Sequence, residues 1–535
     1  MHKVFCFLYF IFYVVFSSAQ PKLIVGVVVD QMRYDYIDRY WNKFGNDGFK
    51  RLVNEGFFCK NTNYNYVPTL TAPGHASIYT GTTPSVHGII ANDWVDKETK
   101  GNVYCVYDHT VNPVGTTNSS GKMSPQNLIS PTIGEELKKI NTNSKVIGIA
   151  LKDRGAILPA GHNANAAYWY DGASGNWITS SYYMEQLPVW VNNFNKKEYP
   201  KQYLSKQWTT ILPIDQYTES DVDDNVCENS FKGKDKPTFP YDLTTLMKTN
   251  GGLELIRNTP FGNSFTKIFS IETIKNEGLG KDSITDFLCV SFSSTDYIGH
   301  QFGPQSVEVE DCYIRLDKDI AELLKYLDEN VGKKDYLFFL TADHGGSEAI
   351  LCLQKKNIPA GVIHEKVIAE ALKKEFFDKY GDSILMEVSG FDVYLDKSKI
   401  IERKLNMEDI QNTTVRHLLK TDGIADAITS AYIQNNTFQD TIRSKVKAGF
   451  NSARSGDVVF VLKPNWLSGY SKGASHGSPY SYDTHVPLIF FGWNIMNGST
   501  TDKIAITDIA PTIYHLLNIP KTNSSSRSLI RALVR

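Results

Sequence analysis

Uninterrupted apolar runs recur along the chain, and each gives way to charge. Residues 23–29 stop at Asp30, residues 146–151 stop at Lys152, residues 287–292 lead into Asp296, and residues 336–342 stop at Asp343. Runs without an alternating polar face suit strands covered on both sides, as in parallel sheets. A further run at 486–491 predicts another strand. Elsewhere the spacing turns helical. Residues 48–54 predict a short helix, 306–329 carry Val309, Tyr313, Leu316, Ile320, Leu323, Leu324 and Leu327 at helical intervals, and 508–517 predict a closing helix. Strands alternating with helices predict an α/β fold, a sandwich around a mostly parallel central sheet.

Two stretches break this rhythm. Residues 169–263 turn to Trp, Tyr, Asn, Lys and Pro without a clear period, and part of 353–472 mixes helical and strand patterns. Structureless loops of such length are unusual in a compact domain. Both are therefore expected to be insertions, the first of them a cap, in one catalytic domain spanning 20–535. No internal repeat or low-complexity tract is present.

Composition narrows the partners. The formal net charge is -2 and no Lys/Arg block occurs, so neither nucleic acid nor an anionic membrane surface is an expected partner. Residues 1–19, with a basic start, an apolar middle and Ser17-Ser18-Ala19 at the exit, read as a secretory signal peptide cleaved near Ala19. The apolar stretch is shorter than the about 20 residues of a membrane span. The mature chain is expected to be exported, periplasmic or extracellular, without stable membrane insertion. Cys6 leaves with the signal; Cys59, Cys105, Cys227, Cys289, Cys312 and Cys352 remain, and an oxidising compartment permits disulfides among them in a pairing the sequence leaves open. No Cys-x-x-Cys pair suggests a thiolate zinc site.

The charged residues that end the runs are the candidate chemistry. In open α/β sheets the site lies beyond the carboxyl ends of the strands. Asp343-His344-Gly345-Gly346 puts an oxygen and a nitrogen ligand side by side there, although such a tripeptide is also a common turn. Asp30 and the pair Asp296-x-x-x-His300 stand at two other strand ends, the latter spaced to reach one ion from a helical turn or a tight loop. A further imidazole comes from His476, between small residues that let the backbone approach an ion, or from His485. Carboxylate and imidazole ligands without cysteine fit zinc, and six of them exceed one tetrahedral ion.

Pro73 suits the first turn of a helix, which places Thr71 at or just before its cap, where free backbone N–H groups collect an anion. Thr71 is either that cap or a nucleophile whose hydroxyl a base or metal must activate. Lys152 and Arg154 would point to one side if the backbone stays extended, a clamp for phosphoryl oxygens or simply a solvated strand end. Asn92 is a neutral donor for an oxyanion, or a turn residue.

Together, Val29-Asp30-Gln31-Met32-Arg33, the Thr71 segment, the stretch ending Asn92-Asp93-Trp94, Lys152-Asp153-Arg154-Gly155-Ala156, Ser294-Thr295-Asp296-Tyr297-Ile298-Gly299-His300, Thr341-Ala342-Asp343-His344-Gly345 and His476-Gly477-Ser478-Pro479-Tyr480 resemble the alkaline phosphatase superfamily of two-metal hydrolases. The match is nearest to the Thr-nucleophile bacterial alkaline phosphatases of the PafA type, relatives of the nucleotide pyrophosphatase/phosphodiesterases. The resemblance implies a three-layer sandwich with cap insertions, in a monomer. It also implies two zinc ions, one on Asp296, His300 and His476, the other on Asp30, Asp343, His344 and the Thr71 oxygen. Asn92, Lys152 and Arg154 would hold the phosphoryl group of a small phosphate monoester, and a phosphothreonine would form and be hydrolysed. Pro73 is expected to be a departure from the commonest residue beside the nucleophile, one that shapes the helix entry without removing the chemistry. The rival readings are a phosphodiesterase on the same metals and, from another class, an exported binder of phosphate or zinc. A sulfatase is disfavoured because Thr71 stands where that family needs Cys or Ser.

Overall fold

The structure is a computed structural model that describes residues 20–520, 527–529 and 533; the expected signal segment lies outside these residues. Each apolar run folds as a buried strand. The central sheet contains β1 (Leu23–Val29), β2 (Phe57–Asn63), β3 (Val146–Ala150), β4 (Ala166–Asp171), β5 (Asn176–Ser180), β6 (Asp286–Phe292), β7 (Tyr336–Thr341) and β8 (His485–Gly492). Their order across the sheet is β2-β8-β7-β1-β6-β3-β4-β5, and short strands extend both edges.

The five strands from β7 to β4 run parallel. Their register aligns Val29 with Phe292, Val28 with Thr341 and Ala150 with Ser291. The carboxyl ends of β1, β3, β6 and β7 therefore meet at one edge, and the residues that follow them share one crevice. β8 runs antiparallel to both β7 and β2. A uniform apolar run carries no information about direction.

Two helical layers cover this sheet. In one, α2 (Thr71–Thr80), α3 (Asp153–Ala160) and α9 (Ile509–Leu516) pack through α2; in the other, α4 (Phe261–Glu277), α5 (Ser294–Phe302) and α6 (Val307–Leu327) pack through α6, against α1 (Phe49–Glu55). The approach of α3 to the sheet is close. A Cβ on Gly148 of β3 would fall 2.1 Å from the Ala156 carbonyl oxygen, so any larger residue there would lift the helix.

The sheet reaches further than the pattern indicates. Trp169 lies in β4 and residues 176–180 form β5, so the chain leaves the sheet after Ser180 and not at 169. All six residues of β4 are buried, and its Ala-Ala-Tyr-Trp-Tyr run lacks the branched aliphatic residues that mark the other buried strands. Residues beyond Ser180 fold back onto α6, where Asp311 accepts hydrogen bonds from Trp208 Nε1 at 2.7 Å and the Tyr217 hydroxyl at 2.6 Å. Residues 353–472 include a four-stranded antiparallel sheet with α7 (Glu365–Tyr380) and α8 (Met407–Leu418) on it, and a separate core through Leu372, Phe376, Ile410, Leu418 and Phe460.

Cys227 and Cys352 form a disulfide, tying the first excursion to the segment after β7. Cys59, Cys105, Cys289 and Cys312 are free and buried. Among the described residues no helix is long and apolar enough to cross a membrane.

Candidate active site

The crevice is built from strand ends. Asp30 directly follows β1, and Asp343 with His344 follows β7. Asp296 and His300 lie one turn apart on α5, which begins directly after β6 and so presents both to the same side. His476 comes from the loop before β8. Thr71 is the first residue of α2, behind an N-cap at Leu70, and makes no side-chain cap. Its hydroxyl is thus free for other work.

The condition of extended backbone through Lys152 and Arg154 is not met. The strand stops at Ala150, Lys152 is the N-cap of α3 and Arg154 lies in its first turn. Asp153 in that turn suits a helix N-terminus, and its Oδ1 accepts from the Arg154 N–H at 2.6 Å. The two cations consequently reach the crevice from a helix start. Lys152 Nζ lies 2.5 Å from Asp296 Oδ2, 2.7 Å from Asp30 Oδ2 and 3.4 Å from Thr71 Oγ1. Arg154 Nη1 donates to the Tyr104 hydroxyl at 3.1 Å, and that hydroxyl donates to Asp153 Oδ1 at 2.5 Å.

Three imidazoles are set up alike. Nδ1–H of His300 donates to the Ala474 carbonyl, that of His344 to the Gly345 carbonyl and that of His476 to the Thr69 carbonyl, each at 2.8 Å. This fixes the tautomer and turns every Nε2 lone pair inward, the usual arrangement of metal-binding histidines. His300 Nε2 lies 3.2 Å and His476 Nε2 3.6 Å from Asp296 Oδ1; His344 Nε2 lies 3.6 Å from both Asp30 Oδ1 and Asp343 Oδ2, and 3.5 Å from Thr71 Oγ1. The His344 and His476 rings stack 3.5 Å apart.

Ligand atoms of Asp30, Asp343 and His344 lie within 4.8 Å of one another, and so do those of Asp296, His344 and His476. The first group is the expected set. In the second, His344 stands close where His300 was expected, and His300 joins through its contact with Asp296. His485 is elsewhere, bonded to the Lys60 carbonyl at 2.9 Å and stacked on Tyr34.

The electrostatics call for cations. Three carboxylates are buried against one ammonium, with Arg154 further off, and both Asp30 oxygens and Asp343 Oδ2 have no hydrogen-bond partner. Lys152 Nζ touches Asp30 Oδ2 without hydrogen-bond alignment. Burial and the Asp296 charge push Asp30 up to about 6 despite Lys152. Burial and Asp30 raise Asp343 well above the carboxylate range, whereas burial is outweighed at Asp296, which His300 and Lys152 hold well below it. Burial keeps His344 well below its ordinary value and pushes His476 down to about 3, leaving their lone pairs available. Buried acceptors without donors beside unprotonated imidazoles fit divalent cations, and the O/N donor set fits zinc.

Sequence reasoning missed three supporting residues. His75, one turn after Thr71, donates from Nδ1 to the Thr71 carbonyl at 2.8 Å and accepts at Nε2 from the Ser291 hydroxyl at 2.9 Å. Its position four residues on was a readable signal. Tyr104 and Gln31 had none, because the partner of the first depends on tertiary approach and the second adopts left-handed backbone. Asn92 Oδ1 accepts from the Ala72 N–H at 3.0 Å, so its amide NH2 is the group left to face the crevice.

A crevice of this kind at the carboxyl edge of a parallel sheet suits a metal-dependent hydrolase, and comparison with known proteins places the chain within such a class. Residues 24–485 match the family of type I phosphodiesterases and nucleotide pyrophosphatases. The chain is 46% identical over 512 residues to a protein of Myroides odoratus named calcium-transporting ATPase, covering 95% of this chain and 93% of that one. It is 46% identical over 505 residues to alkaline phosphatase PafA of Elizabethkingia meningoseptica, covering 94% and 92%. The crystal structure of wild-type alkaline phosphatase PafA superposes with a TM-score of 0.93 at 43% identity, over 96% of this chain and 99% of that one. The chain is a member of the type I phosphodiesterase and nucleotide pyrophosphatase family, in the alkaline phosphatase superfamily, and is an enzyme of the hydrolase class.

Proposed function

We propose that the chain is an exported alkaline phosphatase that hydrolyses phosphate monoesters through a phosphothreonine on Thr71, with two zinc ions. The observation that carries this reading is the position of the Thr71 hydroxyl, 3.5 Å from His344 Nε2 and 3.4 Å from Lys152 Nζ, where the two ligand groups meet. A hydroxyl that merely capped a helix would have no use for that place.

Asp30, Asp343 and His344 would hold one ion; Asp296, His300 and His476 would hold the other. When bound, zinc lowers the pKa of a hydroxyl or a water and offsets charge on attacking and leaving oxygens. Thr71 Oγ1 attacks phosphorus in line with the ester oxygen, the P–O bond to the leaving group breaks, and phosphothreonine forms. Water then attacks that phosphorus, the bond to Thr71 Oγ1 breaks, and inorganic phosphate departs. Lys152 stabilises the Thr71 oxygen as it gains charge, while Arg154 and the Asn92 amide hold phosphoryl oxygens, which is where phosphoryl transfer loses most of its barrier. His75 steadies the Thr71 backbone. A monoester dianion makes fuller use of Lys152 and Arg154 than a diester monoanion, which favours monoesterase over phosphodiesterase. The reading includes a signal segment at 1–19, small-molecule substrates and a monomeric state.

Thr71→Ala tests it directly. In rapid acid quench the wild type should yield acid-stable phosphothreonine, and the variant should yield none and lose monoester turnover. Full turnover by the variant would refute the nucleophile, and absence of turnover in metal-loaded wild type would favour a binding protein.

A further inference from the structure

Gln31 touches both groups of candidate ligands at once. Its backbone N–H donates to Asp343 Oδ1 at 3.1 Å, and its side-chain Nε2 donates to Asp296 Oδ1 at 2.7 Å. It also follows Asp30 directly. Gln31 is 4% exposed, so both bonds are shielded from water.

The backbone there is unusual. Gln31 has φ of 59°, a left-handed conformation that glycine adopts freely and a long side chain does not. A turn alone would be better served by glycine. Residues held in such conformations gather at functional sites, where something else over-determines them. Here the surroundings reserve room for the amide. A Cβ on Gly299 of α5 would fall 2.1 Å from Gln31 Oε1, and one on Gly346 would fall 3.1 Å from Gln31 Cγ.

The two bonds decide which oxygen each carboxylate offers. With Oδ1 of Asp343 taken by the Gln31 N–H, Oδ2 is left without a hydrogen-bond partner, facing His344 Nε2 at 3.6 Å. The amide turns the Asp296 carboxylate so that Oδ1 lies 3.2 Å from His300 Nε2 and Oδ2 meets Lys152. We infer that Gln31 is a positioning residue that ties the two metal sets together, fixing Asp296 through its amide and Asp343 through its backbone. This rests on the two-metal reading above. It adds that the two bonds are separable, because only the one to Asp296 needs a side chain.

Two variants separate them. Gln31→Met keeps the bulk and the strained backbone but removes the amide; Gln31→Gly removes the amide and relieves the backbone. Both keep the N–H that serves Asp343. The expected result is that, after dialysis against a chelator at a strength that leaves wild type with two metals per chain, each variant retains one by elemental analysis. Turnover should fall by about tenfold to a hundredfold with KM little changed, the usual cost of losing support around a metal ligand. The metal-free Gln31→Gly chain should melt no lower than wild type. If both variants keep two metals and wild-type turnover, Gln31 is a turn residue and the inference fails. A lower melting point of metal-free Gln31→Gly together with lost metal would mean that the residue supports the fold, which also overturns it. Failure of the underlying reading looks different: wild type itself would bind no metal pair, or Thr71→Ala would stay active.

Discussion

At the carboxyl edge of the sheet, Asp30, Asp296 and Asp343 are buried among imidazoles; along α6, Asp311, Glu308 and Glu310 are buried beside phenols, an indole and a guanidinium. Burial is the same in both places, but the neighbours are not. Asp311 accepts from Trp208 Nε1, the Tyr217 hydroxyl, the Ile211 N–H at 2.8 Å and Arg315 Nε at 2.7 Å, so its charge is fully met by donors. Glu308 accepts from the Tyr241 hydroxyl, and burial raises its pKa well above the ordinary range, so it keeps its proton. In the crevice both solutions are incomplete: Lys152 serves Asp296 and Asp30, burial and Asp30 push Asp343 well above the carboxylate range, and acceptor oxygens are still left over. His344 and His476 show lone pairs, not N–H groups, to the carboxylates, and Asp30 Oδ1 and Asp343 Oδ2 have no hydrogen-bond partner. A buried carboxylate supplied with donors anchors a fold, whereas one facing other acceptors needs a cation.

Asp343→Asn presses hardest on this contrast. It removes a charge from the group that has too many, so the chain should lose one metal and monoester turnover should fall on the order of a thousandfold. The metal-free variant should be at least as stable as metal-free wild type, because burial and Asp30 already push the metal-free Asp343 carboxyl toward its neutral form. Elemental analysis, turnover and melting of the metal-free protein check all three. A variant that kept both metals would show the crevice to be an anchor like the α6 group.

Asp311→Ala is the converse experiment. It strands four donors, including a guanidinium, and should destabilise the fold by about 3 kcal/mol, within the range for breaking a buried charged pair. Metal content and turnover per folded chain should not change, because Asp311 joins the first excursion to α6 and touches none of the candidate ligands. Denaturant unfolding followed by active-site titration separates the two readouts. Loss of metal here would mean that the excursion holds the crevice together.

Why the sequence revealed the crevice better than the anchor follows from the same contrast. Asp30, Asp296 and Asp343 end apolar runs, and parallel register brings such ends together, so a one-dimensional pattern located a three-dimensional site. His344, His300 and His476 could be proposed by residue type, the small neighbours of His476 already favour it over His485, and the fold places His485 elsewhere. The partners of Asp311 come from residues 208–217, whose aromatic texture has no period, and nothing local links them to α6. β4 was lost because its Ala, Tyr and Trp residues do not read as the branched aliphatic runs of the other buried strands. The sequence leaves open whether the backbone stays extended through Arg154, because Asp153, which begins a helix there, is a start signal weaker than the apolar run before it. Gln31 was hidden most deeply, since left-handed backbone at a non-glycine residue leaves no mark in composition or spacing.

The smallest effect belongs to Glu310, whose carboxyl oxygens are buried without hydrogen-bond partners near Ser220. Burial, reinforced by Glu219 and only partly offset by Ser220 and Lys43, pushes its pKa from 4.5 up to about 7. The folded chain therefore holds a proton that the unfolded chain has already released across that interval. The unfolded state binds fewer protons there, so stability falls as pH rises from 4.5 to about 7 and the contribution levels off above it. Glu310→Gln has the shape of the protonated acid and no proton to lose. Its melting temperature should match wild type near about pH 4.5, exceed it increasingly toward about pH 7, and hold a constant lead beyond. Metal content should be unaffected throughout. A difference that did not vary with pH would mean that Glu310 ionises as readily folded as unfolded, and the α6 group would then be a second place where buried charge lacks its partner.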